Sequence, residues 1–180
     1  MKEKSNICLF QEYDADEIIP NLWLGNYQSA FSSEFLKNHN IKNIIRIMVE
    51  FDKNNIFKGV KYYHIPIKDT DTCVPNIENI FNTCNKIIDN CLNNNEGILI
   101  HCKRGHHRSA AVVASYLIKN LKYDYEKTFK YINSLRPCAL RRNCCIVRGL
   151  YKYCNNEYCN SNNKYISNYC PTCSSSNLRY

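Results

Sequence analysis

Residues 97–117 read GILIHCKRGHHRSAAVVASYL, and few folds can accommodate that run. Gly97 to Ile100 has the character of a short buried strand, and Ala110 to Leu117 that of a well-packed helix. The loop between them holds Cys102, with Gly105 three positions on and Arg108 six positions on. A strand that passes through a tight loop into a helix N-terminus gathers unpaired backbone N–H groups, backed by the helix dipole, into an anion site. A cysteine at the rim of such a site has its pKa lowered, because its thiolate sits in the same field. Arg108 adds a planar fork able to hold two oxygens of a tetrahedral phosphate. Gly105 provides the backbone freedom that a curled loop demands. Nucleophile, anion cradle and bidentate clamp together suit phosphoryl transfer through a cysteine.

These residues carry a family resemblance. His101-Cys102 followed by Arg108-Ser109 resembles the H-C-x5-R-S/T signature of the cysteine-based protein tyrosine phosphatases, and the Ser-Ala and Tyr-Leu that follow are similar to its dual-specificity branch. The segment from Glu17 to Gly25 resembles the opening I-x-x-x-L-Y/W-L-G of that branch. Ile65-Pro66-Ile67-Lys68-Asp69 is similar to its I-P-x-x-D. The resemblance implies Cys102 as nucleophile, Arg108 as clamp, and Asp69 as the acid that protonates the leaving oxygen. It also implies that Ser109 bonds the sulfur and eases its departure. Asp71, in the same loop, is the alternative acid. His101 is read as a structural residue that positions the loop. Lys103, Arg104, Gly105, His106, His107 and Arg108 are the expected substrate-binding set. Arg104 stands where the branch more often has a small residue, and Lys103 resembles a lysine of phosphoinositide-directed relatives. With His106, His107 and Arg141-Arg142 the rim reads as basic, favouring phosphates flanked by further negative charge.

The rest of the chain is consistent with one domain around this core. At 180 residues, 44% of them hydrophobic and 22% charged, it is long enough to bury a proper core. Nothing approaches the ~18 consecutive apolar residues of a membrane helix, and the charged N-terminus lacks a signal-peptide core. Strands are expected across Glu17–Gly25 (two, broken at Pro20), Ile41–Met48 and Val60–Ile67. Helices are expected over Gln28–Asn38, Asn76–Asn94, Tyr125–Leu135 with Asp124 as cap, and about Arg142–Tyr153. Alternation of the two indicates an α/β fold, a mostly parallel central sheet with helices on both faces. Trp23 reads as a core anchor and His39 as a solvent-facing helix end. The expected division is a lead-in over 1–16, a catalytic domain over 17–153 and a cysteine-rich polar tail over 154–180.

Twelve cysteines are not spaced as a secreted disulfide framework. Cys84 and Cys91 fall on an amphipathic helical face, where reduced cysteine acts as a small core residue. A thiolate nucleophile also needs a reducing compartment, so the cytosol, and the nucleus with it, is the expected location. In the tail, Cys154, Cys159, Cys170 and Cys173 have spacings that a four-cysteine zinc site can use. Reduced cysteines in a polar tail are the favoured reading, and no step at Cys102 calls for a metal or cofactor. Tyr151, Tyr153, Tyr158, Tyr165 and Tyr169 lie beside basic residues, but nucleic acid is not the expected partner; phosphorylated proteins are. The formal net charge of +8 suits an anionic substrate without specifying one. The expected activity is hydrolysis of phosphotyrosine and phosphoserine/threonine in proteins. Alternatives are a phosphoinositide or RNA 5′-phosphate phosphatase, and a phosphoprotein-binding module without turnover.

Overall fold

A computed structural model describes residues 14–50, 56–69, 76–141 and 144–157. Five strands form one sheet: β1 (Ala15–Ile19), β2 (Leu22–Gly25), β3 (Ile41–Ile47), β4 (Lys61–Ile65) and β5 (Gly97–His101). Their order is β1-β2-β5-β3-β4, with β1 antiparallel to β2 and every other pairing parallel. The expected α/β architecture is thus present, and the all-apolar run that leads to the cysteine is the middle strand. All five β5 residues are buried, as a strand covered on both faces requires.

Side chains alternate between two cores. Leu22, Leu24, Ile45, Ile47, Ile98 and Ile100 point to the larger one. There they meet α3 (Ile77–Asn93), α4 (Arg108–Leu121), α5 (Tyr125–Leu135) and α6 (Cys145–Glu157). Ile44 and Leu99 face the other way, towards α1 (Tyr27–Phe31) and α2 (Ser33–Asn38). Trp23 packs in this second cluster, edge-on to Phe35, with exposed His39 against its ring. In α3 the buried Phe81, Cys84, Ile88 and Cys91 recur at helical spacing. Helix α4 is buried from Arg108 to Ile118, and its run of alanine and valine lets it lie close under the sheet.

Three expectations need correction. The single helix over Gln28–Asn38 is two, because the Ser32 hydroxyl accepts the Phe35 N–H and starts a new helix in place of continuing the old one. The lead-in does not reach residue 16: Ala15 and Asp16 belong to β1, and Asp14 and Asp16 are ion-paired with Arg136 rather than solvated. Cys154 is not in the tail either. It is buried in α6 on the stripe made by Ile146, Val147, Leu150 and Tyr153, a helical spacing that the nearby cysteines masked. Tyr153 is in the same core and Tyr151 packs edge-on to Tyr125, so neither is a stacking surface. Cys159, Cys170, Cys173, Tyr158, Tyr165 and Tyr169 lie outside the described residues, as do Asp71 and Arg142. Among the described cysteines, Cys138 is disulfide-bonded. No described helix is long and apolar enough to cross a membrane.

Phe81 joins α3 to α6, fully buried and with its ring centroid 5.4 Å from that of Tyr153. Truncating it to alanine should cost about 3–5 kcal/mol of stability. Denaturant unfolding measures this; a loss below about 1 kcal/mol would mean that α6 is not part of the cooperative core.

Candidate active site

The sheet delivers a chain that turns sharply at its centre. Strand β5 stops at His101, Cys102 follows, and α4 begins at Arg108. Gly105 has φ +70°, and a Cβ there would sit 2.5 Å from the Gly25 carbonyl oxygen, so only glycine fits. The loop is tied at both ends: the Tyr27 N–H donates to the Lys103 carbonyl and the Leu140 N–H to that of His106. Leu140 itself is held at φ +60°, a costly conformation for a bulky residue that sits in this outer brace. His107 caps α4 without a side-chain capping bond, so the N–H groups of the first turn face no capping side chain of its own.

Cys102 is buried, and burial alone would push its thiol pKa up. The net shift is nonetheless downward. The Ser109 hydroxyl donates to Sγ at 3.3 Å, its backbone N–H adds a second bond, Arg108 brings positive charge, and the Gly105 N–H contributes a third. His101 behaves oppositely. Burial first, then the neighbouring Arg46 and Arg108, lowers its pKa to about 3, and a backbone contact from Cys102 offsets this only in part. Its ring is wholly buried beside the loop and touches the Cys102 backbone, so it is a neutral ring packed at the strand end. His106 is lowered to about 4 by burial and by the charge of Arg136. It therefore adds no charge near neutral pH, and the rim is less basic than the sequence suggests.

The second loop arrives from the carboxyl end of β4. Ile67 is buried, and its carbonyl accepts a hydrogen bond from Arg108 Nη1 at 3.1 Å. Two residues on, the half-exposed Asp69 carboxylate is 3.5 Å from Arg108 Nη2. Nε of Arg108 has no hydrogen-bond partner among the described residues, leaving a buried donor that an oxyanion would satisfy. Asp69, Cys102, Arg104, His106, His107 and Arg108 line one cleft of about 140 Å³. Ser109 donates to the sulfur from the first turn of α4, and Gly105 belongs to the loop itself; both are buried. Lys103 is exposed and does not line the cleft. A wider groove of about 650 Å³, lined by Phe129, Lys130, Asn133, Ser134, Leu140 and Arg141, holds none of the predicted catalytic residues.

Two arginines here escaped the sequence reading. Arg46, on β3 in register with His101, is buried with its guanidinium 5.5 Å from the Phe31 ring and 5.8 Å from that of Tyr62. A lone arginine in the β-branched run Ile41–Ile47 was the available signal. Arg136, which follows the last residue of α5, reaches the Gly105 and Arg104 carbonyls. Its contacts are long-range and left no local pattern.

Residues 22–156 match the family described as dual specificity phosphatase, catalytic domain. A probable dual specificity protein phosphatase of Dictyostelium discoideum is 33% identical over 126 residues, 70% of this chain and 57% of that protein. A serine/threonine/tyrosine-interacting protein of Mus musculus is 32% identical over 146 residues, 78% of this chain and 64% of that protein. The chain thus spans about three fifths of the length of these curated relatives. The crystal structure of DUSP15 has the same fold, with a TM-score of 0.71 at 27% identity over 77% of this chain and 86% of that one.

Because Ser109 supplies the strongest bond favouring the thiolate, Ser109→Ala should raise the Cys102 pKa. Alkylation by iodoacetamide at mildly acidic pH should slow by about tenfold, the worth of one charge-assisted hydrogen bond. The sign is fixed by chemistry: a higher pKa leaves less thiolate at a given low pH. An unmoved pH profile would remove Ser109 from this role.

Proposed function

The chain belongs to the dual specificity phosphatase family, and from that membership we propose that it hydrolyses phosphotyrosine and phosphoserine/threonine in proteins through a phosphocysteine intermediate. The observation that carries this reading is the single cleft in which Cys102, Arg108 and Asp69 meet. The Cys102 thiolate attacks phosphorus while the bond to the leaving oxygen breaks, and Asp69 gives that oxygen its proton. Arg108 and the loop N–H groups hold the equatorial oxygens. Water then attacks the phosphocysteine and passes a proton to the Asp69 carboxylate. The P–S bond breaks, phosphate leaves, and the thiolate returns to its bond with Ser109. A thiolate of this kind suits a reducing compartment such as the cytosol.

Two observations support other readings of the same site. Arg104 in the cleft favours a more highly charged phosphate, such as a phosphoinositide or an RNA 5′-phosphate. The similarity to a protein named for interacting with serine, threonine and tyrosine favours a binding module. The intact set of Cys102, Asp69, Arg108 and Ser109 supports turnover over binding alone.

Turnover on a panel of phosphopeptides, phosphoinositides and 5′-phosphorylated RNA separates these readings, with phosphopeptides expected to be the best substrates. Cys102→Ser should abolish hydrolysis yet keep phosphopeptide binding; hydrolysis at the wild-type rate would overturn the assignment. Asp69→Asn should lower kcat by about 10²–10⁴-fold and flatten the basic limb of its pH profile. Asp71→Asn should change little, and the reverse result would make Asp71 the acid.

A further inference from the structure

Helix α5 ends at Arg136, whose backbone N–H still bonds Ile132 and whose successor, Pro137, cannot continue the helix. The side chain returns to the outside of the anion loop, where it is almost wholly buried. Its Nε donates to the Gly105 carbonyl at 2.9 Å, and Nη2 to the Arg104 carbonyl at 3.2 Å. Nη1 pairs with Asp16 at 2.8 Å, and Nη2 also pairs with the Asp14 carboxylate. Arg136 is not among the residues that line the cleft.

We propose that Arg136 is a positioning residue, which turns the Gly105 and His106 N–H groups into the anion site by holding the preceding carbonyls outside it. This rests on the reading of that loop as a phosphate cradle. In a trans peptide the C=O and N–H of one plane point in opposite directions, and no described peptide bond is cis. Holding the Arg104 carbonyl outward therefore aims the Gly105 N–H inward, and holding that of Gly105 aims the His106 N–H. The Gly105 N–H does lie where it lowers the Cys102 pKa. Tyr27 and Leu140 do the same for the planes on either side, with neutral N–H donors on Lys103 and His106. Arg136 holds the two middle planes with a charged donor, which also polarises them and strengthens their N–H groups. A fork is needed, because one rigid group must reach two successive carbonyls.

The acidic pair has a role in the same device. A bare guanidinium this close to the cleft would be free to turn towards a bound phosphate. Asp14 and Asp16 occupy its far edge and keep its other donors on the carbonyls. The first described residues of the chain are thereby tied, through Arg136 at a separation of 122 positions, to the loop that holds the nucleophile.

The test uses the full chain with Arg136→Lys and Arg136→Gln, and reads the pH dependence of Cys102 alkylation, orthovanadate affinity and thermal unfolding. Both variants should move the acid limb of alkylation to higher pH and weaken orthovanadate by about tenfold or more. Lysine should not rescue, since it keeps the charge but not the fork. A role confined to stability would lower the melting temperature alone. Folded variants with the wild-type limb and orthovanadate affinity would overturn the proposal. Should neither variant fold, Asp16→Asn serves instead, since it frees one edge of the fork. It should move both readouts the same way by a few fold, and no change there would equally overturn it. If the wild-type chain neither alkylates at acidic pH nor binds orthovanadate, the phosphatase reading fails first. If it does both and the variants match it, only the role of Arg136 falls.

Discussion

Cys102 is 3% exposed, and a thiolate removed from water is disfavoured unless something else solvates it. The solvation here is built from fixed dipoles. Ser109 supplies a hydroxyl and a backbone N–H, Gly105 supplies a backbone N–H, and Arg108 supplies charge. These donors need no reorganisation when a phosphoryl group arrives, because the loop already holds them in place. The arrangement explains the form of the loop, from a glycine that no side chain could replace to carbonyls anchored on its outer side.

Sheet topology decides where this loop can be. Strand β5 lies between β2 and β3, so its carboxyl end opens at the middle of the sheet, and α4 starts beneath it. Strand β4 runs parallel to β3, so its own carboxyl end emerges on the same side and carries Asp69. A ligand crevice at the carboxyl ends of parallel strands is the usual result. The two loops are joined through Arg108, which donates to the Ile67 carbonyl and faces Asp69. One side chain thus ties the acid loop to the nucleophile loop, and a phosphate entering the cleft would meet both.

What was legible in the sequence was local. The strand, loop and helix around Cys102 are contiguous, and α3 announces itself through Phe81, Cys84, Ile88 and Cys91. What was not legible depends on distant partners or on burial. Asp14 and Asp16 read as part of a lead-in because their counter-ion lies more than a hundred residues away. Ser32 looked like the middle of a helix, since nothing nearby says whether its hydroxyl will accept the Phe35 N–H. His106 read as basic because its neutrality comes from burial beside Arg136, which composition does not record.

That last case bears on how the site uses charge. Of the cations near the sulfur, His101 and His106 are neutral at working pH and Arg136 is balanced by two carboxylates. The downward pull on the Cys102 pKa comes first from the Ser109 hydroxyl, then from backbone N–H groups and Arg108. A loop crowded with unbalanced cations would stabilise the thiolate equally well. It would also hold the anionic phosphate product tightly and slow its release. Directional donors discriminate better, since they match the trigonal oxygens of the transferring phosphoryl group more closely than a diffuse positive potential does. The chain has a net charge of +8, yet around its nucleophile the structure keeps His101 and His106 neutral and pairs Arg136 with two carboxylates.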